Sequence, residues 1–124
     1  MKLDAKELEV NGVLYVPKSD IKQQAESVAG LTLCIIRTYS AGIWYGLVDY
    51  DADDTFSNVV VRKARRIWKW TKAFSLSEIS VNGIGSDSKI ATELTEVKLN
   101  RVIELLPVST SAQKIIDSIK TYEV

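Results

Sequence analysis

LTLCIIRTYSAGIWYGLVDY, Leu31 to Tyr50, is the stretch whose reading decides the fold of this chain. LTLCIIRT is apolar and β-branched, YSAG is turn-forming, and IWYGLVDY resumes the apolar run. The pattern predicts two antiparallel strands joined by a short turn.

Toward the C-terminus, the acidic run DADDTFS reads as a solvated loop, NVVVRKA as a third strand and ARRIWKW as a fourth. Ser75 and Glu78 in SLSE form a capping box for a helix that Asn82-Gly83 can end. GIGSDSKIATELTE has no internal pattern and reads as an irregular connection, long enough to suggest a functional or interface role. VKLNRVIELLPV is a fifth strand, and a last helix opens at Thr110 with Gln113 in the box position and Ile115, Ile116 and Ile119 on its apolar side.

Toward the N-terminus, Asn11-Gly12 in LEVNGVLYV predicts a hairpin, because both central residues of a type I′ turn take positive φ. Pro17 ends it, and Asp20 with Gln23 caps a helix that Gly30 terminates. The fold class expected is α+β: a small antiparallel sheet with an N-terminal hairpin and helix over residues 1–30, and one compact unit over residues 31–124 that carries the C-terminal helices.

The 124 residues suit one domain, and 16 basic against 16 acidic side chains give no global field toward nucleic acid or membrane. The single cysteine, Cys34, suits a reducing compartment, and the charged start MKLDAKELEV is unlike a signal peptide. These features predict a soluble cytosolic protein. The chain has no histidine, which removes Ser/His and Cys/His nucleophile pairs and His-based metal sites. One cysteine removes thiolate zinc sites as well. Carboxylate or lysine chemistry stays open, but no pair of acids is flagged by its spacing, and no metal or cofactor is expected.

Two arginines interrupt apolar stripes. Leu31, Leu33, Ile35 and Arg37 share one side of the first core strand, and Val97, Leu99, Arg101, Ile103 and Leu105 share one side of the fifth. Each guanidinium needs an anion or a route to water. A local carboxylate such as Glu104 or Glu93 would serve, and so would a bound ligand. In RRIWKW, Arg66, Trp68 and Trp70 fall on one face and Arg65, Ile67 and Lys69 on the other, within six basic residues and no acid from Arg62 to Lys72. Such a face can stack a base and hold phosphates, or its tryptophans can simply pack under helices. The neutral total charge favours a short anion over a long nucleic-acid backbone.

CIIRTYSAGIWYG, KARRIWKW with AFSLSEIS, and ELTEVKLNRVIELLPVS resemble, in order, blocks of the small phage proteins of the first Thoeris anti-defence family. The matching blocks run from about Cys34 to Ser109. The resemblance implies a sponge that binds glyco-cyclic ADP-ribose, the signal of bacterial TIR-domain enzymes, and holds it intact in the cytoplasm of the infected bacterial host. It implies a WW-like sheet paired into homodimers with two recessed pockets, dimers able to assemble into hexamers, and in some members a separate site for cyclic oligonucleotides. It implies neither a nucleic-acid nor a membrane partner.

The residues it points to are Arg37 and Arg101 for phosphates, with Phe74 and Asn82 for the base. Pattern adds Tyr39, Arg66 and Trp70. On this reading Trp68 and Trp70 mainly pack the sheet, and the base rests on Phe74. The rivals are an enzyme that degrades the same signal and a nucleic-acid module that uses RRIWKW as a stacking face.

Overall fold

The computed structural model describes residues 8–10, 13–15, 23–51 and 58–123. Strands β1 (Leu8–Val10) and β2 (Val13–Tyr15) pair antiparallel with Val10 opposite Val13, while the Asn11-Gly12 turn itself lies outside the described residues. The Asp20 cap and most of the DADDTFS run lie outside the described residues.

Strands β3 (Thr32–Thr38) and β4 (Ile43–Val48) form the hairpin that the opening stretch predicts, with Leu33 opposite Leu47 and Ile35 opposite Tyr45. After them come β5 (Asn58–Lys69), helix α1 (Leu76–Asn82), β6 (Lys89–Ile90), β7 (Leu94–Asn100), β8 (Val102–Pro107) and helix α2 (Thr110–Asp117). The antiparallel sheet has the order β6-β5-β4-β3-β8, and β7 also pairs with β5. Because β6 pairs with Ile67 and Lys69 and β7 with Asn58 to Ala64, the two share the edge of β5 that faces away from β4.

Strand alternation divides the core in two. On one face Leu33, Ile35, Tyr45, Leu47 and Ile67 pack against Ile79 of α1 and Ala112 and Ile116 of α2. On the other, Cys34, Ile36, Trp44, Val48, Val61, Ala64, Leu99 and Val102 form a cluster in which every member is a strand residue. The sheet therefore curls over its own second face. Its bends coincide with register shifts between Tyr45 and Leu47 and between Arg37 and Thr38, since a bulge raises local twist. Burial lifts the Cys34 thiol from 9.0 to about 12.

Both helix ends expected at Ser75 and Gly83 are present. Ser75 accepts from the Glu78 amide, and Gly83, at φ 82°, donates to the Ile79 carbonyl. Helix α2 is capped one residue earlier than expected, by Ser109 rather than Thr110, and it buries Ile116 while Ile115 is exposed.

Four expectations are corrected. NVVVRKARRIWK is one strand, not two, with Trp70 just beyond it: Lys63 at φ 51° makes a bulge inside it, and pairing continues on both sides. The fifth strand is two, β7 and β8, because Arg101 takes φ 57° and breaks the alternation; Val102 is buried and Ile103 exposed. The irregular connection contains β6 and the start of β7. No helix forms over Gln23–Gly30; instead the Ala25 amide donates to Val108 O at 2.8 Å and the Thr110 amide to Gln23 O at 2.7 Å, which ties this segment to the compact unit. No helix among the described residues is long and apolar enough to cross a membrane.

Candidate functional site

The β3–β4 turn gathers most of the candidate side chains. Its shape is fixed locally: the Thr38 hydroxyl donates to Gly42 O at 2.8 Å and accepts from the Ala41 amide at 2.7 Å, while the Trp44 indole donates to Ala41 O at 2.9 Å. Gly42 sits at φ 87°, a left-handed value that glycine adopts without strain.

Arg66 flanks the turn on one side. It is the cross-strand partner of Trp44, and its guanidinium carbon lies 4.5 Å from the Trp44 ring centroid. A groove of about 380 Å³ runs between the turn residues Ser40 to Ile43 and the strand end that carries Arg66, Trp68 and Trp70. Trp70 is half-buried against the helix-covered core, whereas Trp68 is 62% exposed. That exposure corrects the expectation that Trp68 packs the sheet. After the Lys63 bulge, Arg65 and Ile67 point inward, and Arg66 and Trp68 point out. The Trp68 ring lies 6.1 Å from that of Tyr122, with Lys89 Nζ 5.3 Å from one and 4.7 Å from the other.

Arg101 flanks the turn on the other side. Its carbonyl accepts from the Tyr39 amide at 2.9 Å, and its guanidinium carbon lies 4.4 Å from the Tyr39 ring centroid. Both side chains are exposed, so Arg101 is not an inward residue of an apolar stripe. Two accessible guanidiniums thus stand on aromatic rings at either side of one pinned turn. A guanidinium supported in this way loses less freedom when it binds a phosphate than a free surface arginine does.

The remaining candidates lie apart. Arg37 is exposed and pairs with Glu104 at 3.4 Å, the local carboxylate that the sequence offered it. An exposed pair of this kind contributes at most about 1 kcal/mol. Phe74, 94% exposed, precedes the α1 cap, and Asn82 is the exposed last residue of that helix. The two stand at opposite ends of α1, and neither lines the groove.

Arg65 is the residue that sequence reasoning passed over. Only 8% exposed, it donates through Nε to Ala91 O at 3.1 Å and through Nη2 to Ile119 O at 3.3 Å and Thr121 Oγ1 at 3.5 Å. The basic run is therefore divided: Arg62 pairs with Glu96 at 2.8 Å, Arg65 is interior, and Arg66 is free to face a ligand. No group of three or more His, Cys, Asp or Glu arranged to hold a metal occurs among the described residues.

A family model described as a domain of unknown function, DUF6948, matches residues 31–116. No curated protein and no solved structure matches the chain.

Proposed function

The chain belongs to the DUF6948 family. From the resemblance of its sequence blocks to the first Thoeris anti-defence family, we propose that it is a non-catalytic sponge for a cyclic ADP-ribose-type signal, glyco-cyclic ADP-ribose. In this role it withholds the product of TIR-domain Thoeris enzymes from their effector, in the cytoplasm of a phage-infected bacterium. The observation that carries the reading is the pinned β3–β4 turn, with Arg66 and Arg101 on either side and a groove of about 380 Å³ edged by Trp68 and Trp70. A pyrophosphate calls for arginine forks and an adenine for an aromatic face, and this region supplies both.

The reading includes a WW-like sheet assembled as a homodimer and, from dimers, a hexamer. Phe74 supports it: a phenyl ring 94% exposed on one chain is available to cover a base held by a second copy. Asn82 and Arg37 would complete such a two-chain pocket, and a cyclic oligonucleotide would occupy a separate site. Calorimetric titration with glyco-cyclic ADP-ribose, other ADP-ribose isomers and cyclic dinucleotides tests the proposal. The wild-type chain binds the first, and Arg101→Ala weakens it at least tenfold with an unchanged circular dichroism spectrum. Normal binding by that variant sinks the phosphate assignment.

One observation favours a second reading. The exposure of Trp68, beside Tyr122 and Lys89, suits a stacking face for single-stranded nucleic acid. A fluorescent oligonucleotide that fails to bind at low salt removes it.

A further inference from the structure

A second cavity, of about 350 Å³, opens on the helix-covered side of the sheet between β4, β5 and α2. Its apolar wall is Val28, Leu33 and Leu47. Its charged lining comprises two cations on β5, Lys63 and Arg65, and two carboxylates, Glu93 and Asp117.

Three features set this lining apart from an ordinary surface cleft. Arg65 is more than nine-tenths buried, with Nε and Nη2 held by protein oxygens, none of them a carboxylate. Its Nη1 has no protein acceptor among the described residues, and since no buried side-chain nitrogen or oxygen there lacks a partner, Nη1 keeps some accessibility on a residue that lines the cavity. Lys63 adopts φ 51°, a conformation that a lysine takes at a cost and a glycine does not. A strained lysine whose side chain reaches a cavity wall is an outlier that invites a functional explanation. Across from the cations, Asp117 Oδ1 accepts the Tyr45 hydroxyl at 2.7 Å, which fixes the carboxylate and leaves Oδ2 unengaged among the described residues. Asp117 also ends α2, where the helix dipole favours a positive charge.

We propose that this cavity binds a small zwitterion of the α-amino-acid type with an apolar side chain. Its carboxylate meets Arg65 Nη1 and Lys63, its ammonium meets Asp117 and Glu93, and its side chain rests on Val28, Leu33 and Leu47. A simple anion would be repelled by the two carboxylates, and a simple cation by the two basic groups. The volume falls at the small end of ligand cavities. The site shares no lining residue with the turn groove and does not depend on the sponge reading.

The test is calorimetry and thermal melting of the full chain with leucine, valine, methionine, acetate, methylammonium and inorganic phosphate. At least one of the amino acids binds saturably and raises the melting temperature, while acetate, methylammonium and phosphate at equal concentration do not. Lys63→Gly melts at or above the wild-type temperature, because the strain is relieved, yet weakens the amino acid at least fivefold. Glu93→Gln also weakens it. Both variants keep wild-type affinity for glyco-cyclic ADP-ribose, or its absence, so the two sites are judged separately. The assignment is overturned if none of the amino acids binds, if phosphate or acetate binds as well as they do, or if both variants bind them normally.

Discussion

Arg65 and Arg66 are adjacent in sequence but stand on opposite faces of β5, and exchanging each for alanine separates scaffold from site. Arg66→Ala removes a guanidinium stacked 4.5 Å from the Trp44 ring at an exposed position, an interaction of about 0.5–1 kcal/mol. For a domain of this size that lowers the melting temperature by only about 2–6 °C. If Arg66 holds a ligand phosphate, the same change removes a charge-assisted bond of about 1.5–3 kcal/mol and weakens binding roughly 10- to 150-fold. Arg65→Ala does the reverse. It strips the donors from Ala91 O and Ile119 O, at about 1–3 kcal/mol for each carbonyl left buried and unpaired, and it opens a hole in the core. The expected total of about 3–6 kcal/mol is a large share of the ~5–15 kcal/mol that holds a domain folded. Urea denaturation followed by circular dichroism gives the stabilities, and calorimetry with glyco-cyclic ADP-ribose gives the affinities. Arg66→Ala with wild-type affinity, or with a stability loss equal to that of Arg65→Ala, would refute the reasoning.

Trp68→Ala, at a site 62% exposed, lowers stability by no more than about 1 kcal/mol in urea denaturation, against ~3–5 kcal/mol for a core tryptophan. Gly46→Ala destabilises by about 1–3 kcal/mol in the same assay, because the added Cβ meets Val61 Cγ1 at 2.5 Å and the Arg62 carbonyl oxygen at 2.9 Å. Folded Cys34 keeps its proton up to about 12 whereas the unfolded thiol loses it near 9.0, so the native state binds more protons between those values and stability falls as pH rises through them. From pH 9 to 10 the slope rises from about 0.7 to about 1.2 kcal/mol per unit, and Cys34→Ala flattens it; an unchanged slope contradicts the assignment. Light scattering at micromolar protein returns at least twice the 13.8 kDa of one chain, and a monomer mass contradicts the two-chain pocket.

The hairpin from Leu31 to Tyr50 was legible because its apolar residues fill both faces of a sheet covered on both sides, and α1 was legible because Ser75, Glu78 and Gly83 carry their own capping chemistry. What escaped reading turned on single residues. Lys63 and Arg101 take left-handed φ, which glycine or asparagine would have announced and lysine and arginine do not. Each shifts the alternation after it. One shift sends Arg65 inward and Trp68 outward, and the other splits a strand and turns Arg101 to solvent. The N-terminal helix failed for a different reason: the backbone at Gln23 and Ala25 finds partners at Thr110 and Val108, so tertiary pairing overrides a local capping pattern. Of the candidate site, Tyr39, Arg66, Trp70 and Arg101 converge around one turn, while Phe74 and Asn82 lie along α1.

The central claim, sequestration without chemistry, is tested most directly by incubating the protein with glyco-cyclic ADP-ribose, removing free ligand by filtration, heating the retained complex and resolving the released material by mass spectrometry. The account predicts that the ligand is retained in proportion to protein and returns unaltered. Recovery of hydrolysed fragments, or no retention at all, would contradict it.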